Sequence, residues 1–162
     1  MTDVDAFRAA IRTAYTLLPD KMESKEADVM LAAIGLQESR LHYRRQVHGP
    51  ARGLWQFELA GVRGVLAHKA SRIPVMRLCM SLHVPAEAEE IHEQLEFDDT
   101  LAAGVARLLL WTDPFELPDL GEVDSAWSYY VRNWRPGAVK RNPIALREKF
   151  GRNYETALEI CA

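Results

Sequence analysis

The chain has 162 residues, 48% of them apolar and 27% charged, and a net charge of -3. That is one domain's length with enough apolar material for a single sizeable core, and the charge balance argues against a general polyanion binder. There is no apolar run long enough to cross a bilayer, and the opening MTDVDAFRAAIRTAY is acidic and amphipathic, so neither a membrane anchor nor a secretory signal is expected. Cys79 and Cys161 are too few and too far apart for a disulfide framework or a zinc cluster, and reduced thiols are expected.

In chain order, Ala6, Phe7, Ala10, Ile11, Ala14, Leu17 and Leu18 recur at helical spacing, with Asp3 or Asp5 placed to cap the start and Pro19 to end the helix. A second helix is expected to begin near Asp20 to Ser24, where Asp20 and Glu23 have capping-box spacing. It runs through Val29, Met30, Ala33, Ile34 and Leu36 towards Glu38. After a loop containing His48-Gly49-Pro50, residues 53-58 read as a short strand or an extended turn, and a helical turn follows through Val62, Val65 and Leu66. Pro74 fits the first turn of a helix over Val75 to Leu82, Pro85 opens another towards Leu95, and Asp98 or Asp99 caps a strongly apolar one from Leu101 to Trp111. This last segment is the expected central core helix.

Pro114 and Pro118 break the chain, Glu122 to Trp134 reads as a helix stopped by Pro136-Gly137, and Pro143 to Ile160 supplies one or two more. The period-2 alternation of a sheet is nearly absent. The expected fold is therefore all-α, one domain over residues 1-162, with at most a very short β element around residues 53-58.

Charge is clustered. Glu87, Glu89, Glu90, Glu93, Glu96, Asp98 and Asp99 form a run without Lys or Arg, which reads as a solvated helix face. Arg40, Arg44, Arg45 and Arg52 form one basic group, and Arg132, Arg135, Lys140, Arg141, Arg147, Lys149 and Arg152 another. Sharing one face, the two groups would steer a polyanion; otherwise they are a solvated surface.

Glu38 falls where the second helix should end, so the negative end of the helix dipole would disfavour its ionised form. If the following loop folds Leu54, Trp55 and Phe57 over it, desolvation acts in the same sense. A carboxyl group so tuned suits general acid catalysis of glycosidic bond cleavage.

Gln37-Glu38-Ser39-Arg40, followed after a short loop by Gly53-Leu54-Trp55-Gln56-Phe57, resembles the paired motifs of the lysozyme-like lytic transglycosylase superfamily. A third motif, Ala126-Trp127-Ser128-Tyr129-Tyr130 with Asn133-Trp134-Arg135-Pro136-Gly137, is similar to the form in phage-borne members. The resemblance covers residues 31 to 58 and, more loosely, 126 to 137, and implies a lysozyme-like helical domain with a cleft. It makes Glu38 the catalytic residue and gives substrate-binding places to Ser39, Trp55, Gln56 and Tyr130. The sequence departs from the family's Tyr-Asn pair, since Tyr130 is followed by Val131 and the nearest Asn is Asn133.

The implied reaction is that of a muramidase or lytic transglycosylase, cleaving the β-1,4 bond between N-acetylmuramic acid and N-acetylglucosamine in peptidoglycan glycan strands. Hydrolysis by an inverting or retaining route uses a pair of carboxylates. A transglycosylase needs one, which protonates the glycosidic oxygen and then deprotonates the sugar's own 6-hydroxyl for intramolecular attack. Glu58 is the candidate second carboxylate, with a salt bridge to Arg52, Arg63 or another nearby Arg as the alternative.

Trp55, Trp127, Tyr130 and Trp134 would suit a sugar cleft, and Trp134 joins the substrate-binding candidates. The i,i+7 spacing of Trp127 and Trp134 is equally that of one buried stripe, and Trp111 reads as core. His42, His48, His68, His83 and His92 show no metal-ligand spacing, and no phosphate-binding loop is present, so no metal or cofactor is expected.

Three classes of function follow. The first is a peptidoglycan-degrading enzyme of bacteriophage type, endolysin or virion-associated, monomeric or held in a virion. It would be made in the cytoplasm and reach the wall after release or virion delivery. The second is a noncatalytic virion or glycan-binding protein that keeps the fold. The third is a helical nucleic-acid-binding module using Arg40 to Arg52, which the negative net charge disfavours, so no nucleic acid is expected.

Overall fold

The computed structural model describes residues 2-162, and among these the regular structure is entirely helical. The helices are α1 (Asp3–Leu17), α2 (Lys25–Ser39), α3 (Leu59–Ala67), α4 (Arg72–Ser81), α5 (Ala88–Gln94), α6 (Asp99–Thr112), α7 (Val123–Trp134), α8 (Ala138–Arg141) and α9 (Pro143–Ile160). The expected all-α class holds. Residues 53-58 form a tight turn whose only β character is a pair of isolated antiparallel bridges, Arg45 to Arg52 and Arg52 to Phe57.

Two helix caps differ from expectation. Thr2, not an aspartate, caps α1: its hydroxyl accepts from Asp5 N at 3.1 Å while the Asp5 carboxylate accepts from Thr2 N at 3.1 Å, a complete capping box. Ser24 caps α2 by accepting from Ala27 N at 3.1 Å, and Asp20 instead opens a separate 3-10 turn, Asp20–Met22, right after Pro19. Asp98 caps α6 as expected, with its side chain accepting from Leu101 N at 3.0 Å.

α6 is the central helix. Leu101, Ala102, Ala103, Val105, Ala106, Leu108 and Leu110 are all buried, and α1, α2, α3 and α4 pack around it. Even Arg107 is only 3% exposed there, donating through Nε to the Met22 carbonyl at 2.8 Å. α2 lies along α9, and α7 closes against α9. Among the described residues no helix is long and apolar enough to cross a membrane.

The end of α2 positions the site. Arg40 and Leu41 both take left-handed backbone, with φ of 58° and 57°, which stops the helix at Ser39. Leu41 then folds back until its side chain is buried over Gly35, where any Cβ would collide with Leu41 Cδ2. The reversal sends the chain into the loop that returns at Gly53-Leu54-Trp55.

Of the acidic run, Glu87, Glu89, Glu90 and Glu93 are exposed, as a solvated face requires, while Glu96 and Asp99 anchor this loop. Arg44 makes a two-pronged pair with Asp99 at 2.8 and 2.7 Å, Arg45 and Arg52 both lie 3.7 Å from Glu96, and Arg63 meets Glu89 at 2.9 Å. The physical reason is proximity: the loop passes over the start of α6, so charges distant in sequence neutralise each other.

Gly53 is the tightest point of the turn. Its φ is 78°, and a Cβ would stand 3.0 Å from the Leu95 carbonyl oxygen, which cannot move aside. Gly53→Ala should destabilise the fold by about 1-3 kcal/mol, read as a lower midpoint in urea unfolding. A variant as stable as the parent would mean that the turn relaxes freely.

Candidate active site

Glu38 occupies the last turn of α2 and is half-buried, opening into a cavity of about 730 Å3. Its Oε1 accepts a hydrogen bond from the Tyr130 hydroxyl at 2.5 Å. Tyr130 is buried and held flat against Phe150 of α9, with ring centroids 5.1 Å apart and planes 11° from parallel. Burial raises the Glu38 pKa above the 4.5 usual for glutamate. The Tyr130 hydrogen bond and the Lys149 charge pull the other way without cancelling the rise. Tyr130 in turn is pushed far above the normal phenol range by burial and by the Glu38 charge, so it remains a proton donor.

The cavity is lined by Glu38, Gln56, Glu58, Tyr130, Trp134 and Lys149, among others. Four residues named from the sequence thus share one space with Glu38: Gln56, Glu58, Tyr130 and Trp134. Gln56 sits at a φ of 50° and spends one amide proton on the Gly53 carbonyl at 2.9 Å, which fixes the lip of the cavity. Trp134 is partly buried, tilted against Phe57 with centroids 5.7 Å apart, and donates through Nε1 to the Trp55 carbonyl at 2.9 Å.

Glu58 precedes α3 and is exposed, with no recorded ion pair. The salt bridges expected as its alternative do not form, because Arg52 and Arg63 are engaged with Glu96 and Glu89. Glu58 therefore lines the cavity without a salt bridge.

Ser39 and Trp55 do not line the cavity, which corrects their expected places as substrate-binding groups. Ser39 is 3% exposed, and its hydroxyl donates to the Leu54 carbonyl at 2.6 Å, tying the end of α2 to the returning loop. Trp55 is 0% exposed: its indole donates to the Leu31 carbonyl at 2.9 Å and its ring packs near Phe7. The turn alternates sides, so Gln56 faces the cavity while its neighbour Trp55 plugs the core against α2. Trp127 is likewise packed inward, on Tyr130 and Phe150, and only the other tryptophan of that stripe, Trp134, reaches the cavity.

Asn133 also lines the cavity, but both protons of its amide nitrogen are taken, by Asp113 Oδ2 at 2.8 Å and by the Tyr129 carbonyl at 2.9 Å. Asp113 is half-buried, which would raise its pKa, but hydrogen bonds from Arg132, Phe115 N and Asn133 outweigh this and lower it.

The residues that sequence reasoning missed are on α9. Lys149 donates to the Gln37 main-chain carbonyl at 3.1 Å and Asn153 to Gln37 Oε1 at 2.7 Å. Their i,i+4 spacing beside the buried Phe150-Tyr154-Ala157 stripe marks a polar edge on one helix face, but nothing local says what that edge meets.

A half-buried carboxyl group with a raised pKa, a buried hydroxyl donor and an open volume beside them can deliver a proton to a bound oxygen and take one back. Among the described residues no group of three or more His, Cys, Asp or Glu side chains gathers where it could hold a metal ion. Compared with known proteins, the chain matches no family, no curated protein and no solved structure.

Proposed function

We propose that the protein cleaves the β-1,4 glycosidic bond of peptidoglycan, between N-acetylmuramic acid and N-acetylglucosamine, with Glu38 as general acid and base. The observation that carries this reading is the pairing of Glu38 with Tyr130 at 2.5 Å on the wall of a cavity of about 730 Å3, at the end of a helix. The motif resemblance at Gln37-Glu38-Ser39, at Gly53 to Phe57 and at Tyr130 supports the same reaction and a lysozyme-like fold. In the first step Glu38, whose protonated form burial favours, gives its proton to the leaving glycosidic oxygen. Tyr130 then donates to the carboxylate that forms.

The second step decides between hydrolysis and transglycosylation. Glu58, exposed on the same cavity, is the group that would activate water in a hydrolase. With Glu38 alone, the carboxylate removes the proton of the substrate's 6-hydroxyl and a 1,6-anhydro end results. Trp134 and Gln56 are the groups that would bind the saccharide, by stacking and by hydrogen bonding. The protein would then act on the wall as a phage-type endolysin or virion-associated enzyme.

The nucleic-acid reading loses support, because Arg44, Arg45 and Arg52 are committed to Asp99 and Glu96. A noncatalytic glycan binder keeps the cavity but has no use for a proton-donating carboxyl in it.

Clearing of purified cell walls by the protein, with Glu38→Gln beside it, tests the proposal. Clearing by the parent and none by the variant is expected; equal rates would overturn it. The rate should also fall on the alkaline side as Glu38 loses its proton. Because burial raises that pKa, the half-maximal point lies above the 4.5 of an ordinary glutamate. A pH-rate profile with its alkaline limb at or below that value would contradict the acid role.

A further inference from the structure

α4 follows α3 through a turn that Ser71 fixes, its buried hydroxyl donating to the Val65 carbonyl at 2.6 Å. Val75, Leu78 and Cys79 face the core, and Leu78 seats against Gly104 of α6, where any Cβ would collide with Leu78 Cδ2. The rotation of α4 about its own axis is therefore set. It turns Ile73, Met76 and Met80 outward, 48%, 49% and 77% exposed, and their i, i+3, i+7 spacing puts them in one stripe. Single exposed apolar side chains need no explanation, but three in one stripe do. Among the described residues α9 carries one such residue, Ile144, and the remaining exposed large apolar residues lie in loops.

At about 100° per residue, the helix places Arg72 on one side of this stripe and Arg77 on the other, with Lys69 in the turn just before. All three cations are exposed, and among the described residues none of them makes a salt bridge. The chain as a whole is acidic at -3, yet from residue 59 to residue 86 it holds no Asp or Glu. An apolar stripe bordered on both sides by unpaired cations is complementary to a surface that is anionic on top and apolar beneath.

We propose that the outer face of α4 adheres to a lipid bilayer rich in anionic headgroups. Ile73, Met76 and Met80 enter the acyl boundary, and Lys69, Arg72 and Arg77 meet lipid phosphates. The long Arg and Lys stems add apolar length beside the stripe while their charged ends stay at headgroup level. Three apolar side chains give reversible adhesion and no anchor. An anionic polymer would engage the cations and leave the stripe in water. A second copy of the chain fits worse, because a two-fold contact through this face brings like charges together. Three apolar side chains also fall far short of the roughly 20 to 30 residues a side of a stable interface. None of these six residues lines the Glu38 cavity, so adhesion and glycan cleavage are independent.

The test is cosedimentation of the full chain with vesicles of phosphatidylglycerol and phosphatidylcholine, and with vesicles of phosphatidylcholine alone. Binding to the anionic vesicles should weaken with salt and exceed binding to the neutral ones by about tenfold or more. Arg72→Gln and Arg77→Gln should each weaken it roughly fivefold, the effect of one charge at an anionic surface. Met76→Ser combined with Met80→Ser should weaken it on the order of tenfold, because the apolar contribution goes while the charge stays. These four side chains are exposed, so the urea midpoints of the variants should match the parent. A direct readout needs no variant: in bicelles spin-labelled on the acyl chain, the Met76 and Met80 methyl signals should broaden more than those of the buried Met22 and Met30.

A chain that stays in solution beside anionic vesicles would overturn the proposal. So would binding that ignores the methionine variants, which would mark a purely electrostatic contact with polyanions. Dimerisation in ultracentrifugation that the methionine variants abolish would overturn it in favour of a second copy. Wall clearing in solution should be unchanged by all these variants, so loss of adhesion and failure of the enzymatic reading are told apart.

Discussion

Glu38→Gln should reduce wall cleavage by about 100- to 10,000-fold, the usual contribution of a positioned general acid and base, without disturbing the fold. Glutamine keeps the shape and can still accept from Tyr130, but it has no proton to give the glycosidic oxygen. The same substitution has a stability signature whose sign follows from the raised pKa. A carboxyl whose folded pKa lies above its unfolded value favours the fold when protonated, and this benefit is lost as pH rises through the folded pKa. Glu38→Gln never ionises, so it should gain thermal stability relative to the parent above that pKa and not in acid. An inactive variant that is also unfolded at neutral pH would break the argument, because inactivity would then say nothing about proton transfer.

Trp55→Ala should cost about 3-5 kcal/mol in unfolding free energy, the range for removing a large aromatic from a closed core. The ring is 0% exposed, packs near Phe7 and bonds the Leu31 carbonyl, so the variant loses both the packing and that hydrogen bond. It also removes support from the turn whose carbonyl receives the Trp134 indole. Trp134→Ala, taken from the cavity wall, should cost less stability and more glycan affinity. If urea unfolding placed Trp55→Ala within about 1 kcal/mol of the parent, while glycan binding fell, the ring would belong in the cavity after all.

Trp55 and Gln56 show where the sequence stopped being legible. A tight turn has no period, so two neighbouring side chains can face opposite sides with nothing in the pattern to say which faces in. Here the buried side fell to Trp55, because the indole finds both Phe7 and the Leu31 carbonyl there. Ser39 was misread for a related reason: a hydroxyl beside a reactive carboxyl serves equally to tie down the loop, and it does so through Leu54.

The helical parts were legible, because α2, α6 and α7 are long periodic segments with their own stop and start signals. The position of Glu38 at the end of α2 followed directly. Their caps were less so. Ser24 lies one residue beyond the Asp20-to-Glu23 spacing that mimics a capping box, and only the 3-10 turn after Pro19 decides between them. What local pattern could not supply is non-local. Lys149 and Asn153 meet Gln37 across 112 and 116 residues, and Arg44 meets Asp99 across 55. Glu96 and Asp99, at the end of a run that otherwise is a solvated face, are the partners of Arg44, Arg45 and Arg52.

The central claim is that Glu38 breaks a glycosidic bond, and mass spectrometry of muropeptides released from purified walls tests it most directly. The account predicts new glycan ends with the parent protein and none with Glu38→Gln. Those ends are 1,6-anhydro if Glu38 works alone and reducing if Glu58 activates water. Glycan strands left intact by the folded parent protein would contradict the account.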